Sequence, residues 1–214
     1  MKFETILFDM DGVLIDSEEL MAKCAILALR EYGIEPKPED FAPFVGRGED
    51  AYIGGVAAKY GLVYRTEMKD LAYDFFGKYV ETEAHVPEGI LDVVHELQGR
   101  GDRMAVCTSA DRVKAMHNLR AMHADPSLFD VIVTGDVIVN KKPDPEIYLK
   151  GAELTGTDPC RCIVVEDAVS GIRAAHAGGM QVIGITSSFS EEYLREREEP
   201  EYMISDMRSL LDIL

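Results

Sequence analysis

The chain has 214 residues and carries 39 Asp and Glu against 22 Lys and Arg, a formal net charge of −17 at pH 7. So acidic a surface repels nucleic-acid phosphates and anionic bilayers, which excludes DNA, RNA and membranes as expected partners. Hydrophobic residues make up 47% and charged residues 29%, the proportions of a chain that buries its own core without disulfides or a structural metal.

Residues 1–4 hold no apolar leader, and residues 3–8 read as the first strand, nearly continuous through Ile6, Leu7 and Phe8. No strand is predicted from Ser17 to about His85. Leu20, Met21, Cys24, Leu27 and Ala28 recur at helical spacing, so an amphipathic helix is expected to end near Gly33. Pro36-Lys37-Pro38 breaks the chain. A second helix is expected over 49–60, weakened by Gly54-Gly55, and a third from a Thr66 cap to about Thr82. Pro87-Glu88-Gly89 forms a linker before a helix beginning over 90–97. Apolar strand-length runs then follow at 103–107, 131–133, 163–165 and 182–185. Between them lie helical patterns at 112–122, from the Asp144-Pro145 pair to about Leu154 with Gly156 as its stop, and at 170–177 ended by Gly178-Gly179. Continuous β-branched runs suit strands covered on both faces. The alternation predicts a Rossmann-like α/β fold, a mostly parallel sheet with helices on both faces. Residues 1–16 and 87–214 would build it, and an all-helical domain over 17–86 would be inserted into it.

The longest uncharged run, from Ala174 to Ser190, contains Gly178, Gly179, Gly184 and three serines, poor material for a bilayer span. A soluble cytoplasmic protein is expected. Cys24, Cys107, Cys160 and Cys162 read as reduced thiols, mostly packing residues, because the lone Cys160-x-Cys162 pair lacks the partners of a metal site.

The chemistry is expected at the ends of the strands. Asp9 and Asp11 follow the first strand at i and i+2, so both side chains point the same way, and Gly12 lets the backbone turn sharply away. Thr108-Ser109 follows the second strand, with free amides at a helix opening that suit an anion. Lys141-Lys142-Pro143 lies beyond the third, and Glu166-Asp167 ends the fourth. Taken singly, these are a turn, an N-cap, a solvated lysine pair and helix N-terminal acids. Taken together they surround the position where open parallel sheets bind ligands, outside the carboxyl ends of the strands. Two carboxylate groups so close repel unless a cation lies between them, and an all-oxygen set suits Mg²⁺.

These four segments, in this order, resemble the motifs of the haloacid dehalogenase superfamily of phosphohydrolases, and most of all its β-phosphoglucomutase-like phosphatases. The resemblance covers essentially the whole chain, with the helical insertion placed like that family's cap domain. It implies that Asp9 is the nucleophile and that Asp11 is the acid and base. It further implies that Thr108 and the Ser109 amide hold the transferring phosphoryl group, with Lys142 offsetting its charge. Asp9, Asp167 and the Asp11 backbone carbonyl would ligate Mg²⁺, with Glu166 binding it directly or standing behind it. Asp16 would stabilise the hinge into the cap. Within the cap, Arg47 in Gly46-Arg47-Gly48-Glu49-Asp50 and Lys78 are the candidate substrate contacts. Sugar phosphomutases of the group carry a His where this chain has Met21, which favours hydrolysis over transfer, and dehalogenases lack an acid at the position of Asp11. The implied function is Mg²⁺-dependent hydrolysis of a small phosphorylated metabolite, a sugar or sugar-acid phosphate, by a monomer or weak homodimer. The alternatives are a phosphosugar mutase and a non-catalytic phospho-ligand binding protein.

Overall fold

The structure is a computed structural model that describes residues 3–44 and 48–214. Six strands, β1 (Thr5–Phe8), β2 (Arg103–Cys107), β3 (Val131–Val133), β4 (Cys162–Glu166), β5 (Gln181–Ile185) and β6 (Tyr202–Ile204), form one sheet in the order β3-β2-β1-β4-β5-β6. Every pairing is parallel. The chain steps outward from β1 to β3, then returns to lay β4 on the other side of β1. Loops leaving β1 and β4 therefore part from one another, and a crevice opens between them.

The expected two-sided burial holds strand by strand. Ile6, Phe8, Val106, Ile163 and Val165 join one hydrophobic cluster, while Leu7, Ala105, Cys107, Val164 and Val182 join another on the opposite face. The first face is covered by α4 (Ile90–Arg100) and α5 (Arg112–Ala121), through Val93, Leu97 and Leu119. The second is covered by α6 (Glu146–Thr155) and α7 (Val169–Ala177), through Ile147, Tyr148 and Ile172. Each fully buried large side chain contributes roughly 1.5–3 kcal/mol relative to exposure.

Between β1 and α4 the described residues hold helices and no strand, the α-helices being α1 (Glu18–Arg30), α2 (Glu49–Lys59) and α3 (Thr66–Glu83). Cys24, Ala28 and Leu29 of α1 and Ala72, Phe76 and Val80 of α3 are buried in the first cluster, so this insertion shares its core with the sheet. The connections into and out of it meet in a pair of hydrogen bonds, Asp16 N–H to His85 C=O at 2.8 Å and His85 N–H to Asp16 C=O at 2.9 Å.

Three local expectations change. Thr66 is the first residue of α3 and caps nothing; Arg65 occupies the cap position. α6 starts at Glu146, with Pro145 at the cap position, although Asp144 still accepts the Glu146 N–H at 3.0 Å. The sixth strand, β6, and the short helices α8 (Glu191–Arg195) and α9 (Leu210–Ile213) are additions to the expected elements. Among the described residues, no helix is long and apolar enough to cross a membrane.

Candidate active site

Asp9, Thr108, Ser109, Lys142, Glu166 and Asp167, drawn from four strand ends, line one cavity of ≈ 430 Å³. Asp9 sits one residue beyond β1, where its N–H still donates to Val165 C=O at 3.0 Å. The residue is 8% exposed. The Lys142 ammonium donates to Asp9 Oδ1 at 2.7 Å and to Glu166 Oε1 at 2.6 Å. Glu166 Oε1 also accepts the Tyr148 hydroxyl at 3.0 Å, and Oε2 accepts the N–H groups of Asp167 and Ala168, both at 2.8 Å. Both Glu166 oxygens are thus engaged, and this carboxylate anchors the lysine. The Tyr148 ring lies 4.8 Å from the same ammonium. Gly171 makes room for the arrangement, since a Cβ there would fall 1.6 Å from Glu166 Oε1.

Oxygens of Asp9, Glu166 and Asp167 lie within 4.8 Å of one another. Among the described residues the Lys142 ammonium pairs with Asp9 and Glu166 and no ion pair reaches Asp167, so the three carboxylates, when ionised, carry two more negative charges than this ammonium offsets. The titration behaviour follows. Burial, reinforced by Glu166 and Asp11 against the pull of Lys142, pushes the Asp9 carboxyl up to about 7. Burial, then Glu166 and Asp9, raise Asp167 well above the usual carboxylate range. Burial opposes the Lys142 charge, but Asp9 and Glu166 outweigh it and hold this ammonium above its ordinary range. A divalent cation matches both the missing charge and the oxygen donors.

Gly12 governs the approach of Asp167. It has φ +81°, and a Cβ would stand 2.0 Å from Asp167 Oδ2 and 2.9 Å from Ser188 Oγ. Its N–H closes the turn onto Ile15 C=O at 2.8 Å. Thr108, 1% exposed, extends the β2 pairing through its N–H to Val133 C=O at 3.0 Å. The Thr108 Oγ1 accepts the Ala110 N–H at 3.1 Å, which leaves its own proton to donate elsewhere.

The Asp11 carboxylate stands apart from the three-acid cluster. It forms an ion pair with Lys114 of α5 and accepts the Ser17 hydroxyl at 2.5 Å. Lys114 is 4% exposed, and Asp11 and Glu49 raise its ammonium against the effect of burial. Sequence reasoning missed Lys114, because a lysine on a helix reads as a solvated side chain until α5 packs beside β1.

The far wall comes from the insertion: Glu18, Met21, Phe44, Gly48, Glu49 and Tyr52. Sequence reasoning placed Glu49 in the candidate contact loop but gave the contact to Arg47, and it did not single out Tyr52. Burial pushes the Glu49 carboxyl up to about 7, with Lys114 acting in the opposite direction. Lys78 is corrected: it is exposed on α3 with its ammonium 5.1 Å from the Phe75 ring, away from the cavity lining. Turns of the helix decide this, since Phe76 and Val80 take the inward face. Arg47 and Gly46 lie outside the described residues.

The family model described as haloacid dehalogenase-like hydrolase matches residues 6–185. A phosphorylated carbohydrates phosphatase of Thermotoga maritima is 31% identical over 199 residues, 88% of each chain. The chloroplastic protein suppressor of quenching 1 of Arabidopsis thaliana is 38% identical over 205 residues, which are 91% of this chain but span 19% of that protein. The crystal structure of CbbY from Rhodobacter sphaeroides in complex with phosphate has a TM-score of 0.81 at 24% identity, over 97% of this chain and 96% of that one, a likeness of fold.

Proposed function

The chain belongs to the haloacid dehalogenase-like hydrolase family, and from that membership we propose that it is a Mg²⁺-dependent phosphomonoesterase acting on a small phosphorylated metabolite, with Asp9 as nucleophile. The observation that carries this is the Asp9 carboxylate itself. It is gripped by Lys142 at 2.7 Å, crowded by two further acids, and placed on the wall of a cavity closed from the other side by the inserted helices.

Asp9 attacks phosphorus, and the bond from phosphorus to the alcohol oxygen breaks, leaving an aspartyl-phosphate. Asp11, in its protonated form and released from Lys114, gives that proton to the departing oxygen; as the carboxylate it then takes one from the water that attacks the intermediate. The second displacement breaks the bond to Asp9 and frees inorganic phosphate. The free proton of Thr108 and the Ser109 amide hold phosphoryl oxygens, while Lys142 offsets their charge. Asp9, Asp167 and the Asp11 carbonyl would hold Mg²⁺, with Glu166 behind them, and the ion would supply the remaining positive charge.

Residues 17–86 act as a cap over the core formed by 1–16 and 87–214, and the paired Asp16 and His85 amides support a hinge there. The name of the Thermotoga relative supports a phosphorylated carbohydrate as substrate. Met21 lines the cavity and carries no titratable proton, which favours release of phosphate over its return to a sugar hydroxyl. The net charge of −17 supports a soluble, cytoplasmic monomer or weak homodimer.

Phosphate release from p-nitrophenyl phosphate tests the assignment. Turnover should require Mg²⁺, stop in EDTA, and fall on the order of 10³-fold or more in Asp9→Asn. Near-normal turnover in Asp9→Asn would remove the proposal.

A further inference from the structure

We propose that Glu49 sets substrate choice: it accepts a hydrogen bond from a hydroxyl or ammonium group on the alcohol half of the substrate, and so rejects phosphomonoesters whose alcohol half carries an anion. The proposal rests on the phosphatase assignment above and narrows its substrate class.

Glu49 is the first residue of α2, on the cap side of the cavity. It is 9% exposed, and its Oε2 is buried with no hydrogen-bond partner among the described residues. Buried carboxylate oxygens are nearly always partnered, so this one is short of a donor. Among the described residues, the cations that line the cavity do not supply it. Lys142 is committed to Asp9 and Glu166, and Lys114 is hydrogen-bonded to Asp11. Glu18, also on the cap side of the lining, adds a second carboxylate. The phosphoryl group lies at the opposite end, against Lys142 and the strand-end amides. An alcohol half reaching across the cavity therefore meets two acids, and Lys114, the lining cation that acts on both, is already held by Asp11. A hydroxyl or ammonium donor completes Glu49; a carboxylate or second phosphate there is repelled.

Two substrate pairs isolate the effect, each differing in a hydroxymethyl group against a carboxylate: glycerol 3-phosphate with 3-phosphoglycerate, and sorbitol 6-phosphate with 6-phosphogluconate. O-phosphoethanolamine adds the ammonium arm and separates amine from hydroxyl recognition. Wild-type enzyme with Mg²⁺ should favour the member whose alcohol half carries no carboxylate, in kcat/KM, by at least about tenfold. Glu49→Gln should compress that ratio about fivefold or more, because the amide keeps the shape and removes the charge. The wild-type ratio stands by itself if Glu49→Gln does not fold. Equal or better turnover of the carboxylate esters by wild type, a ratio unchanged in Glu49→Gln, or activity confined to aryl phosphates would overturn the proposal. Absence of phosphate release from aryl phosphate as well would instead remove the phosphatase assignment beneath it.

Discussion

Replacing Gly12 by Ala tests how the carboxylate cluster is built. At φ +81° a Cβ is strained, at a cost of roughly 1–2 kcal/mol. Here it would also stand 2.0 Å from Asp167 Oδ2, inside the 3.0 Å that real Cβ atoms keep from other atoms. The carboxylate must retreat by about 1 Å, and a displacement of that size at reacting groups costs about 10²-fold in rate. Gly33 is the matched control, with φ +80° and nothing within 4 Å of its Cβ position. Both Gly12→Ala and Gly33→Ala should lower Tm by roughly 2–8 °C through backbone strain. Gly12→Ala alone should also lose about 10–100-fold in Mg²⁺ affinity by isothermal titration calorimetry. Its kcat should fall by about 10²-fold. Wild-type Mg²⁺ affinity in Gly12→Ala, or an equal loss in Gly33→Ala, would refute the claim that room at Gly12 positions Asp167.

The other expectations concern charge. The Asp9 carboxyl is raised from 3.8 to about 7, so across that window the folded, metal-free protein holds a proton that the unfolded chain has released. Its contribution to stability therefore declines as pH rises through the window, and Mg²⁺, which binds the ionised form, offsets more of that decline at higher pH. The Mg²⁺-induced rise in Tm, followed by scanning fluorimetry, should grow from pH 5 to pH 8; a rise that shrinks with pH contradicts the metal assignment. Tyr148→Phe removes one of four hydrogen bonds to Glu166. It should cost about 1 kcal/mol in urea unfolding, and a loss above about 3 kcal/mol would show that Tyr148 does more than partner Glu166. Lys114→Met leaves Asp11 without its cation, and breaking one side of so buried a pair should cost about 3–5 kcal/mol. A Tm within about 2 °C of wild type would contradict that pairing.

What the sequence made legible, it did through two regularities. Runs such as Ile163-Val164-Val165 are apolar at every position because β4 is covered on both faces, and that pattern needs no tertiary information. Asp9, Thr108 and Asp167 stand directly beyond strands and Lys142 on the loop that follows β3, so once the sheet is parallel they can meet at one edge. The rest depended on packing between distant segments. β6 has three residues, lies at the sheet edge and follows an acidic stretch, so nothing marks it locally. Lys114 becomes part of the site only because α5 faces Asp11, and Glu49 only because α2 opens onto the cavity. Lys78 went the other way, turned outward by the helical phase that Phe76 and Val80 impose on α3.

The central claim, covalent catalysis by Asp9, is tested most directly by acid-quenched mass spectrometry of Asp11→Asn mixed with p-nitrophenyl phosphate and Mg²⁺. The nitrophenolate leaves without needing a proton, so the first displacement proceeds, while the second lacks the base that activates water. A phosphoryl group on Asp9, accumulating within the first turnover and absent from Asp9→Asn, is the predicted result. Release of nitrophenolate and phosphate together, with Asp9 unmodified at every quench time, would contradict the account.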